Sequence, residues 1–317
     1  MKWKKLGKIF DPTDHKLHNN CVEFAQSPQV LVFDDLVRIY FSTREKDHKT
    51  GKFLSHISYV EMDKEFENIL KVADHTVIEL GKLGCFDEHG IFPINLLQHE
   101  NKVWAYTCGW SRRVSVSVET STGLAISDDN GLSFKKLGDG PIMSSSLYEP
   151  FLVGDAFVRR FENSFHMWYI YGSRWIVNDE EEAARVYKIG HAISADGISW
   201  QQEGRQIIDD RLNEDECQAL PTVAQHNGKY HMFFCYREAI GFRKNKDRGY
   251  RIGYAYSSDL VNWIRDDKNV GIEPSENDWD SGMMCYPHVF HCNGKLYMLY
   301  NGNEFGRLGF GLAICEE

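Results

Sequence analysis

The 317-residue chain has no run approaching eighteen apolar residues, and its first residues, MKWKKLGKIFDPTDH, are basic without an apolar stretch behind them. Neither a membrane span nor a secretory leader is expected from that pattern. Its eight cysteines lie singly, with no C-x-x-C pair, which excludes the common zinc and dithiol spacings. Cys108, Cys235 and Cys315 fall inside apparent strands, and buried thiols of a reducing compartment are the expectation, hence a cytoplasmic protein. G-x-S-x-G, the P-loop and the dinucleotide fingerprint are absent. The histidines, including His15, His18, His89 and His288, show no metal-ligand spacing, so neither metal nor cofactor is expected. Positive charge is also in deficit: the net charge is −10, which speaks against a general nucleic-acid binder while leaving room for a local basic pocket.

What is present is a repeat. An apolar run near a proline, a polar turn and an aromatic-rich run recur five times. The copies are SPQVLVFDDLVRIYFSTR, FPINLLQHENKVWAYTCGW, DAFVRRFENSFHMWYIYGSRW, LPTVAQHNGKYHMFFCYR and YPHVFHCNGKLYMLYNGN. Pro28, Pro93, Ala156, Pro221 and Pro287 mark a spacing of 63–66 residues. A third run of alternating small and apolar residues follows in each copy, for example GLAI, GHAI and GYAY. Tight-turn residues come next (SDDNG, SADG, SSDL), then an aromatic-led run headed by Phe134, Trp200 or Trp263. Four short strands per copy predict an all-β, five-bladed β-propeller of four antiparallel strands per blade, occupying residues 1–317 as one domain. The fifth copy ends after its third strand, and Trp3-Lys-Lys-Leu-Gly matches Phe134-Lys-Lys-Leu-Gly. The N-terminal strand is therefore expected to close the last blade and remove an exposed edge.

In such a fold, the segment leading into each first strand and the loop after each second strand share one face. Every lead-in segment carries carboxylates: Glu23; Asp87 and Glu88; Glu149 and Asp155; Glu216; Asp280. Crowded carboxylates split their ionisation, one keeping its proton as acid while another serves as base or nucleophile, which is what glycoside hydrolysis requires. Glu216, Asp87, Glu88, Asp155 and Glu149 are the catalytic candidates, and Glu23 and Asp280 candidate substrate contacts. The return loops carry Arg44, Arg112, Arg174 and Arg237, suited to an anionic group, with Trp110 placed to stack on a sugar ring. The alternative open at this point is that arginines and carboxylates simply pair with each other.

With GLAISDDNG, YRIGYAYSSD, WDSGMMCYP and MLYNGNEFGRLGFGLA, the chain resembles the five-bladed propeller glycosidases, the superfamily of arabinanases, xylosidases, invertases and mannoside phosphorylases. It looks closest to glycosidase-like bacterial proteins of uncharacterised activity. The resemblance implies bacterial carbohydrate metabolism, often surface-polysaccharide synthesis. It makes Glu216 the acid and Asp155 the residue that tunes it. Ser27 stands where the arabinanase-like base would be, leaving Glu23, Asp87 or Glu88 for that task. The expected activity is glycoside hydrolase-like, on an anionic sugar or nucleotide sugar. Glycoside phosphorolysis and non-catalytic sugar binding are the alternatives. A small carbohydrate or nucleotide-sugar ligand is the expected partner, not nucleic acid or membrane, and the oligomeric state is left open.

Overall fold

A computed structural model describes residues 1–178 and 182–316, and it is all-β. Helix among these residues is limited to a four-residue turn, Asn303–Gly306, and three 3-10 turns. No described helix is long and apolar enough to cross a membrane.

The strands run in chain order and group by repeat. An N-terminal strand β1 (Lys2–Phe10) comes first. Unit one holds β2 (Glu23–Val32), β3 (Val37–Lys46), β4 (Phe53–Met62) and β5 (Ile69–Val72). Unit two holds β6 (Gly90–His99), β7 (Lys102–Arg112), β8 (Val118–Ser127) and β9 (Lys135–Lys136). Unit three holds β10 (Val153–Phe161), β11 (Ser164–Val177), β12 (Ala183–Ser194) and β13 (Gln201–Gln202). Unit four holds β14 (Cys217–His226), β15 (Lys229–Arg237), β16 (Arg251–Ser257) and β17 (Ile264–Arg265). The last unit holds β18 (Cys285–Cys292), β19 (Lys295–Asn301) and β20 (Phe310–Glu316). Within a unit, neighbours pair antiparallel in sequence order. Strand β1 pairs with β20 and supplies the fourth strand of the last sheet. A single parallel bridge, Ser55 to Gly90, joins the first two units into one eight-stranded sheet.

The turns after the third strands are set by one local device. The Ser127 hydroxyl accepts from the amides of Asp129 and Gly131, and the Asp129 carboxylate in turn caps Ser133. Ser194 with Asp196, and Ser257 with Asp259, repeat it. Such Asx and Ser turns explain why those short polar motifs recur.

Each buried apolar cluster bridges neighbouring units, and the largest reaches from unit three through unit four to Cys285 and Tyr286 of the last. Tyr40 and Tyr59 of unit one meet Ile91 and Phe134 of unit two, and Tyr106 of unit two meets Met167 and Tyr169 of unit three. Trp168 meets Phe234 between units three and four. Trp3 and Met298 meet Phe233 between the last unit and unit four. Phe10 and Phe310 meet Phe41 between the last unit and the first. The first strands also touch side by side through polar side chains. Asn95 accepts from the amide of Val158 at 2.8 Å, Thr222 from that of Val289 at 3.1 Å, and His288 from that of Val30 at 3.2 Å.

Strand β1 therefore has a measurable weight. Trp3 is buried and sits edge-on to Phe233 at 5.4 Å, while Leu6 on the same strand is exposed. Trp3→Ala is expected to cost about 3–5 kcal/mol in urea unfolding, as large core truncations do. Leu6→Ala should change stability by less than about 0.5 kcal/mol. Equal effects of the two substitutions would deny β1 a packing role.

Candidate functional site

At the proline position of each repeat, the first strand breaks register with its neighbour. The residue just before that position has a positive φ in four units: Ser27 at 54°, Asp155 at 51°, Leu220 at 48° and Tyr286 at 57°. A side-chain-bearing residue held there costs on the order of 1–3 kcal/mol, and bulges of this kind re-aim side chains beside functional sites. Three residues at this position, Phe92, Asp155 and Tyr286, line one cavity of about 500 Å³. Arg44 from β3, Trp110 from β7, Arg185 and Tyr187 from β12 and Arg237 from β15 complete its walls, with Phe242, Arg243 and Tyr250 from the segment between β15 and β16.

Asp155 is the one carboxylate among the described residues that line this cavity. Burial pushes its carboxyl up to about 7, against the opposing charge of Arg185 and the backbone of Leu220. A carboxyl raised this far can hold a proton near neutrality, as a proton donor requires.

Around it stand four guanidiniums, and none forms an ion pair with a described carboxylate. Arg44 donates to Gln26 Oε1 at 3.0 Å and to the Ser55 hydroxyl, and lies over the Phe92 ring at 5.4 Å. Burial pulls it down to about 10, which leaves it charged at neutral pH. Arg237 donates to the Tyr187 hydroxyl at 2.8 Å, which is itself 2.5 Å from the Tyr250 hydroxyl. Its Nε is buried without a partner, and its guanidinium lies 3.6 Å from the centre of Phe242. Arg243 is lowered by burial and then by the charges of Arg237 and Arg185. Arg185 likewise opposes the charge on Arg44. These cations repel one another across a cavity with aromatic walls, an arrangement relieved by a bound anion.

Of the residues expected from sequence, the cavity thus gathers Asp155, Arg44, Arg237 and Trp110. The others lie elsewhere, each with partners of its own. Glu216 is fully buried; it accepts from Arg265 at 2.5 Å, from Gln218 at 3.0 Å and from the amides of Arg211 and Leu212, each at 2.9 Å. Asp87 is buried 2.6 Å from Lys136. Glu88 accepts from the Gly84 amide at 2.7 Å and lies 3.3 Å from His89. Glu149 is buried against the Tyr169 hydroxyl at 2.6 Å and Gln202, and burial raises it. Asp280 is buried at 2.6 Å from Lys5; burial alone would raise it, but hydrogen bonds from Lys5 and Ser275 bring it below the usual carboxylate value. Glu23 pairs with Arg307 at 2.7 Å. Arg174 is neutralised by Asp215 at 2.6 Å. Arg112 donates to the Phe53 carbonyl at 2.6 Å, outside the inner cavity and nearer its mouth.

Sequence reasoning missed Arg185, Arg243, Tyr187, Tyr250 and Tyr286. Arg185 follows an acidic run, Asp179 to Glu182, which masks its charge in any composition window. Arg243 was open to detection, because the segment from Glu238 to Tyr250 is long for a hairpin connection and rich in basic residues.

No protein-family model matches the chain. The uncharacterized protein Rv1502 of Mycobacterium tuberculosis is 31% identical over 323 residues, covering 100% of both chains. Among solved structures, a glycoside hydrolase matches with a TM-score of 0.73 at 19% identity, over 99% of this chain and 91% of that one. A β-1,2-mannobiose phosphorylase from Listeria innocua matches with a TM-score of 0.69 at 12% identity, over 99% and 96%. The solved structures of similar fold are glycoside hydrolases and phosphorylases of propeller-like families.

The surroundings of Glu216 generate a test. Glu216→Leu removes one of the two carboxylates on buried Arg265, leaving Asp267 at 2.9 Å, and loss of a partner from such a buried network costs up to about 3–5 kcal/mol. Thermal unfolding should shift strongly downward, while the ligand affinity of the folded fraction stays unchanged. Unaltered stability with lost function would return Glu216 to the chemistry.

Proposed function

The chain belongs to the family of the mycobacterial protein Rv1502, and we propose that it is a carbohydrate-active enzyme that cleaves a glycosidic bond by phosphorolysis. Its units are taken as the five blades of one closed propeller domain, residues 1–317, with β1 completing the last blade; the clusters shared between successive units, including last with first, support this. A bacterial cytoplasmic setting is supported by cysteines that lie singly and mostly buried.

One observation carries the reaction: among the described residues, a single raised carboxyl, Asp155, faces four guanidiniums that form no carboxylate ion pair, in one aromatic cavity. Hydrolysis by the usual two-carboxylate routes needs a second carboxylate as base or nucleophile. Phosphorolysis does not, because phosphate is itself the nucleophile and needs only cations to hold it. In this scheme Arg44, Arg185, Arg237 and Arg243 bind and orient phosphate, and Trp110, Phe92 and Tyr286 flank the sugar. Asp155 gives its proton to the departing glycosidic oxygen. A phosphate oxygen bonds to the anomeric carbon as the bond from that carbon to the leaving oxygen breaks. Proton transfer of this kind contributes about 10²–10⁴-fold. The fold shared with the mannobiose phosphorylase is consistent with this scheme and does not by itself assign the sugar.

The test is an oligosaccharide panel assayed with and without phosphate, reading sugar phosphate and reducing sugar separately. Sugar phosphate formed only with phosphate is the expected result; phosphate-independent reducing sugar would assign hydrolysis instead. The acid must be protonated to act, so kcat/KM should fall as pH rises through about 7. Asp155→Asn should abolish that limb and lower kcat by about 10²–10⁴-fold. Arg185→Ala should raise the KM for phosphate by about ten- to a hundredfold, in line with a lost charge-assisted hydrogen bond.

A further inference from the structure

The inner cavity opens into a wider one of about 760 Å³, which shares Arg185, Arg237 and Arg243 with it. New residues at this outer level include Lys52, Arg112, Arg113 and Lys244, and Glu182 is the one carboxylate among its described lining residues. Arg113 is taken up by Glu119. Arg112 is held in place: it donates to the Phe53 carbonyl at 2.6 Å and lies 5.4 Å from the Trp110 ring centre, with no described carboxylate in ion-pair contact. Arg243 rests over Phe242 at 4.4 Å. Fixed guanidiniums lose little entropy on binding, unlike freely solvated ones. On a chain of net charge −10, basic side chains outnumber carboxylates among the described residues of this mouth, a local excess of positive charge that draws anions.

Resting on the phosphorolysis reading for the inner site, we propose that Lys52 and Arg112 form a second anion subsite at the mouth, next to the Arg243 that lines both levels. The saccharide cleaved then carries an acidic group, phosphate or carboxylate, beyond the bond that breaks. Phosphate as nucleophile occupies the inner guanidiniums, and the outer cations read the charge on the chain of the substrate itself. A neutral oligosaccharide leaves them without a role.

Calorimetric titration with three probes at fixed ionic strength separates the two levels: orthophosphate, a single compact anion, and tripolyphosphate and propane-1,2,3-tricarboxylate, longer spanning probes that carry several anionic groups. Parent protein should bind a spanning probe at least about tenfold more tightly than orthophosphate, on the scale of one charge-assisted contact. The double variant Lys52→Ala/Arg112→Ala should erase that advantage and leave orthophosphate binding intact. A preference for tripolyphosphate assigns a phosphorylated saccharide, and a preference for the tricarboxylate assigns a uronate. If orthophosphate binds but neither spanning probe gains, or the gain survives in the double variant, the outer subsite is overturned while the inner reading stands. If orthophosphate fails to bind yet a spanning probe binds through Lys52 and Arg112, the subsite stands and phosphate as nucleophile falls. Lys52→Glu, an exposed charge reversal, repeats the test without truncating a packed side chain.

Discussion

The organisation of this molecule depends on a buried carboxylate that ties the start of a unit to its end. Asp87 reaches Lys136, Glu149 reaches Gln202, Glu216 reaches Arg265, and Asp280 reaches Lys5. In each case the carboxylate precedes the first strand and its partner lies on the fourth strand of the same unit. Three of those fourth strands are only two residues long, too short for a ladder to hold alone. A charge placed in such an interior is tolerated only when paired and hydrogen-bonded, so each clamp fixes both segments at once. The first unit lacks this clamp among the described contacts; its outer edge is held instead by Arg38 against Glu61 at 2.6 Å and by Arg38 on the carbonyl of Asn130 in unit two at 2.5 Å.

The clamps also separate these carboxylates from the cavity. Four of them are committed to lysine, arginine, glutamine and tyrosine partners, and none lines the cavity around Asp155. Asp155 escapes because it sits four to six residues nearer the bulge, at a positive φ. Glu149, in the same lead-in segment, takes the clamp position instead. One segment thus supplies a structural carboxylate and a chemical one, separated by the local conformation of the strand.

The repeat was legible because a period of 63–66 residues with a turn signal in each copy survives any uncertainty about individual strands. The match of Trp3-Lys-Lys-Leu-Gly to Phe134-Lys-Lys-Leu-Gly pointed to β1 beside the last strand, where it pairs with β20. The carboxylates were legible as a recurring set, but not in their roles. Glu216 and Arg265 are 49 residues apart in sequence, and nothing local links them. Spacing to the proline places a residue near the bulge, whereas only the three-dimensional register tells which side chain turns inward. The arginines divided for a similar reason. Arg174 looked equivalent to Arg44 and Arg237 but meets Asp215, which lies in the lead-in to the next unit.

The unpaired arginines are the remaining imbalance, and their energetics bear on function more directly than the fold does. A surface this acidic has carboxylates to spare, and it places them against Lys136, Arg265, Arg174 and Arg307, while among the described residues none ion-pairs with Arg44, Arg185, Arg237 or Arg243. Neutralising those four by a nearby Asp or Glu would stabilise the unliganded protein, since like charges at short range raise its free energy. Stability at functional sites is commonly lower than the scaffold permits, because the interactions left unmade are reserved for a ligand. The aromatic lining sharpens the effect: rings exclude water, and the guanidiniums of Arg44, Arg237 and Arg243 lie over ring faces. Four guanidiniums around a single raised carboxyl, among the described residues of the cavity, favour a compact anion as its occupant.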